Sequence, residues 1–400
     1  MSVFLKVSQQ TVWQLVSKVI TSLSTLFILA IISQNYGEVG TGVYTLALAY
    51  LAFFYVATDL GLNAHLLPYL VNTNTAVWQK LLGGRILISV GLMILSLIIL
   101  PLLSFNSPDY KWSVLIGSLT IVTQAIFITL QALYQAQQRY DLTCKALLIS
   151  TPITVGIAYL LAINQAPLPY LFLGHVLGWL VFVLVSVGLI KGITPRVTPL
   201  FDLNFLTSSL KIAWPIAATL FLNTVYFRVD VFLISYFRNF SEVGIYNLAY
   251  SFFQTALVVP TFIMNSYYPV MLRSKQNLLK VAGILGLLGI LGSITTWYLS
   301  PYLISLVAKE GFTGSVEALR ILSLAFPGFF LSALLMWVLI GRKQYKTVLL
   351  IYAVGLIVNV ILNYLFIARY TYVASSWITG LTEYLILILQ IIILIPLLKR

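Results

Sequence analysis

Gln14, Lys18, Thr21 and Thr25 recur at i, i+4, i+7 and i+11, so they share one face of a helix. Thr120, Gln124, Gln131, Gln135 and Gln138 share a face farther along, and Asn247, Tyr250 and Gln254 follow i, i+3, i+7. All three rows lie in otherwise apolar stretches. Facing lipid, each amide would cost several kcal/mol, so these rows must meet protein or water. Hydrogen bonding between helices, worth about 1 kcal/mol per contact, accounts for a lone Gln. Aligned polar groups on two helices point instead to a hydrated cavity.

Ionisable groups narrow the chemistry. Lys18, Asp59, Arg228, Asp230 and Glu383 also fall inside apolar stretches, where such groups are rare and usually functional. Lys18 and Arg228 serve either in pairs with buried acids, Lys18 with Asp59 for example, or as ligand contacts. Arg228 and Asp230, two residues apart, sit about 200° around a helix and cannot face the same space. Asp59 and Asp230 suit support of a cationic partner, and Glu383, with no base beside it, suits a coupling proton or Na⁺. Arg and Lys match phosphate or pyrophosphate, while amides, hydroxyls and aromatic faces match sugars. A phosphate-linked sugar carried on a lipid satisfies the whole set. Most of the 24 Tyr suit interfacial belts. No paired carboxylates, nucleophile elbow or metal cluster marks an enzyme. With two His, ten acids mostly far apart and a lone Cys144, neither a metal centre nor a disulfide is expected, and no cofactor is implied.

The elements that must position these residues follow from composition. Of 400 residues 60% are hydrophobic and 8% charged, against roughly 25% charged in soluble domains. Lipid is therefore the main solvent. A helix needs about 20 apolar residues to cross the hydrocarbon layer. Twelve such runs are predicted, over 11–33, 43–63, 82–104, 112–137, 145–163, 168–190, 208–236, 244–270, 280–306, 318–340, 346–368 and 373–397. They are too long and continuous for the strands of an outer-membrane barrel. With the N-terminus in the cytoplasm, 16 of the 23 Lys and Arg fall on the inner side and five outside, leaving Lys18 and Arg228 within spans. Both termini are thus placed in the cytoplasm, and this bias accounts for most of the +13 net charge without nucleic acid. The loop 191–207, with Pro195 and Pro199, reads as a linker between halves 1–206 and 207–400.

A repeat supports that division. Asn35-Tyr-Gly-Glu-Val-Gly40 precedes the second span and Asn239-Phe-Ser-Glu-Val-Gly244 the eighth. Tyr44-Thr-Leu-Ala47 then echoes Tyr246-Asn-Leu-Ala249. Because six is even, both halves start on the same side, so the repeats are parallel about an axis along the membrane normal. The fold class expected is all-α: twelve transmembrane helices in two six-helix bundles related by a pseudo-two-fold.

Several segments resemble the bacterial polysaccharide-unit flippases of the multidrug/oligosaccharidyl-lipid/polysaccharide exporter superfamily. They are Tyr36-Gly-Glu-Val-Gly-Thr-Gly-Val-Tyr44, Thr58-Asp-Leu-Gly-Leu62, Arg228-Val-Asp230, Glu242-Val-Gly-Ile-Tyr246, Gly341-Arg-Lys-Gln-Tyr345, and Asn359 followed by Ile361-Leu-Asn-Tyr-Leu-Phe-Ile367. Where such proteins run Gly- and Ala-rich into the last span, this chain reads Arg369-Tyr-Thr-Tyr-Val-Ala-Ser-Ser376. The resemblance implies a non-enzymatic, multi-pass protein of the bacterial inner membrane with two bundles around a central cleft. It further implies alternating access, a polyprenyl-pyrophosphate-linked oligosaccharide as cargo, H⁺ or Na⁺ as coupling ion, and contact with membrane lipid and other polysaccharide-assembly proteins. An ion-coupled multidrug exporter shares the fold but usually carries a carboxylate in the first bundle, where this chain has Lys18. A membrane glycan polymerase or ligase would normally carry a large external loop, and none is found.

Overall fold

The computed structural model describes residues 3–71, 75–103, 107–190, 198–273 and 278–398. Lys191, Pro195, Arg196, Lys275, Lys399 and Arg400, used above for the linker and the charge bias, lie outside them. Among the described residues every regular element is a helix, and the order is α1 (Val3–Asp59), α2 (Leu62–Val71), α3 (Thr75–Ile99), α4 (Pro108–Gly117), α5 (Leu119–Ala136), α6 (Tyr140–Ile163) and α7 (Leu171–Ile190), then α8 (Leu203–Phe237), α9 (Phe240–Ala256), α10 (Val258–Arg273), α11 (Leu278–Val307), α12 (Thr313–Ser323), α13 (Phe326–Gly341) and α14 (Tyr345–Leu398).

Among the described residues nine helical stretches are long and apolar enough to cross a membrane, and α12 with α13, bent by 44°, makes a tenth. Two of the nine, Gln9–Asp59 and Tyr345–Pro396, run to 51 and 52 residues, more than twice what one crossing needs. Each is broken by a non-helical residue, Gly37 in α1 and Thr371 in α14, and so holds two crossings. All twelve expected spans are thereby accounted for. Apolar side chains such as Ile98, Leu184, Leu287 and Ile392 are exposed along these helices, which lipid solvates without cost and water would not.

The chain divides into two compact units, residues 1–35 with 43–225 and residues 36–42 with 226–400. In the first, α6 and α7 pack closely because Gly178 faces Thr154, and a Cβ there would collide with the Thr154 hydroxyl. Gly83 gives the same close access to the backbone of Leu200, whose N–H donates to the Gln79 carbonyl at 2.9 Å. Asp202 then caps α8 through the Phe205 N–H at 2.9 Å and pairs with Lys80 at 2.7 Å. The Lys80 contact, with that N–H, holds the Asp202 carboxyl below the usual carboxylate range.

In the second unit the echoed segments lie against one another. A Cβ on Gly42 would collide with the Phe240 carbonyl oxygen, and one on Gly244 with that of Glu38. Only glycine allows backbones this close. Ser241 Oγ donates to Glu38 Oε2, and Asn239 caps α9 through the Glu242 N–H at 3.0 Å. Glu242 in turn pairs with Arg238 at 2.8 Å and accepts from the Tyr372 N–H at 3.3 Å. Farther along this unit, Gly289 seats α11 on Pro327 of α13.

Candidate functional site

In the first unit the motif Thr58-Asp-Leu-Gly-Leu62 ends α1. Leu60 and Gly61 take positive φ, 45° and 71°, and turn the chain into α2. A Cβ on Gly61 would lie 2.8 Å from the Ala213 carbonyl oxygen, so the turn needs glycine for space as well as for conformation. The turn leaves Asp59 and Asn63 side by side, and both receive Arg85. Its guanidinium, fully buried, donates to Asp59 Oδ1 at 2.5 Å, Asn63 Oδ1 at 2.7 Å and Thr129 Oγ1 at 3.2 Å. Asp59 is thus the partner of Arg85, not of Lys18, which leaves Lys18 without the example pairing weighed above. The reason is placement: α3 begins at Thr75, which puts Arg85 three turns inside a helix instead of in the cytoplasmic loop where the charge count sets it. Three fixed acceptors occupy the fork of the Arg, and its charge neutralises the acid.

The first polar row keeps its side chains available. Lys18, Gln14 and Thr25 are exposed and Thr21 partly so. The two threonine hydroxyls donate back along the helix, Thr21 to Lys18 O and Thr25 to Thr21 O, at 2.9 and 3.0 Å, which leaves their oxygens able to accept. Among the described residues Lys18 forms no ion pair. In the second row Gln124 and Gln131 are partly buried and Gln135 is exposed. Thr120 is fully buried and bonded to Tyr55 Oη at 2.5 Å, which ties α5 to α1.

The second unit holds the densest polar constellation, on the seam where α8 and α9 meet the two halves of α14. Asp230 accepts from Tyr246 Oη at 2.9 Å, Thr379 Oγ1 at 3.1 Å and Asn363 Nδ2 at 3.1 Å. Asn363 also donates to Asn359 Oδ1 at 2.9 Å and accepts from Ser375 Oγ at 2.8 Å. One helical turn away Glu383 Oε1 accepts from Tyr226 Oη at 2.6 Å. The pattern is a ladder: Tyr226 and Asp230, Tyr246 and Tyr250, Asn359 and Asn363, Thr379 and Glu383 are each spaced i, i+4. Tyr250 stacks on Tyr246 with ring centroids 5.4 Å apart. It lies within electrostatic range of Asp230, Arg228 and Glu383, and hydrogen-bonds Gln254. Asn247 is buried, and its Nδ2 has no partner among the described residues.

Of the expected site residues, the structure brings Asp230, Tyr250, Gln254 and Glu383 together and places Arg228 beside Tyr250. Arg228 is partly buried and forms no ion pair among the described residues. Arg85, Asn63, Tyr226 and Thr379 are absent from the site residues that sequence reasoning picks out, and Tyr246, Asn363 and Ser375 enter it only inside motifs, with no role in the site. The i, i+4 repeats in the last two spans are a signal that could find Asn363, Ser375 and Thr379. Arg85 offers none, because its distance from the loop cannot be read without the helix boundary. The in-span charges end up unevenly disposed. Asp59, Asp230 and Glu383 are each held by donors inside their own unit, whereas Lys18 and Arg228 keep a cation without an acid.

Residues 7–275 match the family described as polysaccharide biosynthesis protein, and residues 215–365 match the MatE family. No curated protein matches the chain. Among solved structures it is similar to the lipid II flippase MurJ in an inward closed conformation, with a TM-score of 0.81 and 14% identity over 96% of this chain and 87% of that one. A multidrug resistance MATE transporter of the MOP superfamily, inward-facing, gives 0.75 and 11% over 94% and 95%. A MOP-superfamily transporter from Pyrococcus furiosus, described as having a binding pocket of reversed polarity, gives 0.63 and 12% over 99% and 96%. At these identities the likeness is one of fold.

Proposed function

Because the chain belongs to the polysaccharide biosynthesis protein family, matching it over residues 7–275, we propose that it flips a polyprenyl-pyrophosphate-linked oligosaccharide unit. Transfer runs from the cytoplasmic to the outer leaflet of the bacterial inner membrane, by alternating access and without catalysis. The duplicated halves are residues 1–206 and 207–400. The observation that carries the reading is the disposition of in-span charge: Asp59, Asp230 and Glu383 are sequestered, and Lys18 and Arg228 are left as cations able to meet an anion. A cation without an acid attracts a pyrophosphate and repels a cationic drug. Each cation acts as a phosphate contact during transfer, and Gln14, Thr21, Thr25, Gln124, Gln131, Gln135, Asn247 and Gln254 meet sugar hydroxyls. Movement is coupled to H⁺ or Na⁺.

The test is charge removal. Lys18→Gln and Arg228→Gln in a host that depends on this protein are expected to abolish surface polysaccharide at unchanged membrane level. Normal polysaccharide in both variants would falsify the assignment. Lys18→Arg should retain function if charge alone matters, and not if the shape of the ammonium matters. A second reading, an ion-coupled multidrug exporter, is favoured by the MatE match over residues 215–365. It requires that loss of the protein sensitise cells to cationic drugs while surface polysaccharide persists.

A further inference from the structure

Among the three in-span acids, Glu383 is the one with a buried carboxyl oxygen that has no partner among the described residues. It is 3% exposed, and Oε1 accepts from Tyr226 at 2.6 Å, yet Oε2 has no hydrogen-bond partner among the described residues. The groups within its electrostatic reach come from three elements: Tyr226 on α8, which bonds it, Tyr250 on α9, and Tyr352 on the first half of α14. All three are phenols, neutral at physiological pH. Of the cations nearby, Arg228 acts on Tyr250, and none reaches Glu383 among the described residues. Asp230, one turn along α8 from Tyr226, is another acid and gives no compensation.

Burying a carboxylate with one donor and an empty oxygen costs far more than burying the neutral acid, which keeps the same Tyr226 bond. Asp59 has a guanidinium and Asp230 has three donors, and Glu383 has neither. We infer that Glu383 is a proton-binding site of the transport cycle: its Oε2 carries a proton in this conformation. The step is a simple exchange. Oε2 takes a proton from water when the seam of α8 with α14 is open to one side, and returns it to water when that seam opens to the other. Tyr226 keeps its own proton throughout, holding Oε1 and leaving Oε2 as the atom that changes state. Gly355, whose added Cβ would fall 2.9 Å from Ile386, leaves the space that the Ile386 side chain occupies, with the Tyr226 ring in ordinary contact at 3.9 Å. The site stands on its own geometry, while its service as the coupling site rests on the transport reading above.

Infrared spectroscopy of the purified full-length protein in lipid nanodiscs reads the proton directly. The wild type is expected to show the carbonyl stretch of a protonated carboxylic acid at neutral pH, shifted in heavy water. Glu383→Gln, which preserves size and the acceptor for Tyr226, should lose that band, and Asp230→Asn should keep it. Absence of the band in the wild type, or its survival in Glu383→Gln, overturns the proposal. Should Glu383→Gln fail to fold, the wild type can be treated with dicyclohexylcarbodiimide, which modifies protonated carboxyls in apolar sites. Peptide mapping must then find the adduct on Glu383, and an unmodified Glu383 refutes the site. A band lost in Glu383→Gln, together with a wild-type protein that cannot flip lipid-linked oligosaccharide, leaves the proton site standing and removes the cargo instead.

Discussion

Arg85 is buried to the last atom and its Nε has no partner among the described residues, so its stability depends on what Asp59, Asn63 and Thr129 supply to the rest of the fork. Removing one partner of such a pair leaves the other charge buried and uncompensated, at a cost of about 3–5 kcal/mol. Asp59→Asn is therefore expected to destabilise the protein by that order, and Arg85→Gln likewise. The double variant Asp59→Asn/Arg85→Gln should lose less than either alone, since both charges go together. Thermal unfolding of the three variants in one detergent checks it, and strictly additive losses would contradict a coupled pair. Single residues are the hardest part of this molecule to read from sequence. Asp59 and Glu383 stand out because an acid in an apolar run is conspicuous. Arg85 escapes notice because a cation near the end of such a run looks like a loop residue until the helix start is known.

The two chain breaks inside the longest helices share one backbone conformation: Gly37 has φ 63° and ψ −162°, and Thr371 has φ 61° and ψ −158°. That region belongs to glycine, and a side chain there costs of order 1–3 kcal/mol. A β-branched residue fits it worst. Thr371 recovers a little through its Oγ1, which accepts from the Val373 N–H at 3.5 Å. Thr371→Gly should relieve the strain, less about 0.5–1 kcal/mol for the added freedom of the unfolded chain. The expected outcome is a net gain of about 1 kcal/mol, read as a higher unfolding temperature, with Gly37→Thr shifted the other way. A lower unfolding temperature for Thr371→Gly would show that the hydroxyl outweighs the strain. The spans themselves are legible throughout, since each run of about 20 apolar residues is a strong signal. Their joints are legible only as composition, and the departure from a Gly-rich approach to the last span marks the very residue that takes the glycine conformation. The echo between Asn35–Gly40 and Asn239–Gly244 reveals repetition. It carries no sign that Gly42 and Gly244 bring those segments into backbone contact.

For the whole molecule the determining quantity is how charge divides across the membrane, because a flippase is defined by direction. Lys and Arg within short loops set orientation, and acids contribute little to that rule. The bias, 15 against five once Arg85 is set inside α3, predicts both termini, Arg139 and Arg342 on the cytoplasmic side, and Asn239 and Arg369 outside. The chain carries one natural cysteine, Cys144, and it is buried. Introduced thiols can therefore be probed against a silent background. Cysteines placed at Asn239 and Arg369 are expected to react with a membrane-impermeant maleimide added to intact cells. Those at Arg139 and Arg342 should react only after the membrane is opened. The predicted pattern also assigns the outer side to the Gly42–Gly244 contact and to the Glu38, Ser241 and Glu242 bonds around it, since Asn239 begins that segment. Labelling of the opposite set in intact cells would reverse the orientation, and with it the direction of transfer proposed for the cargo.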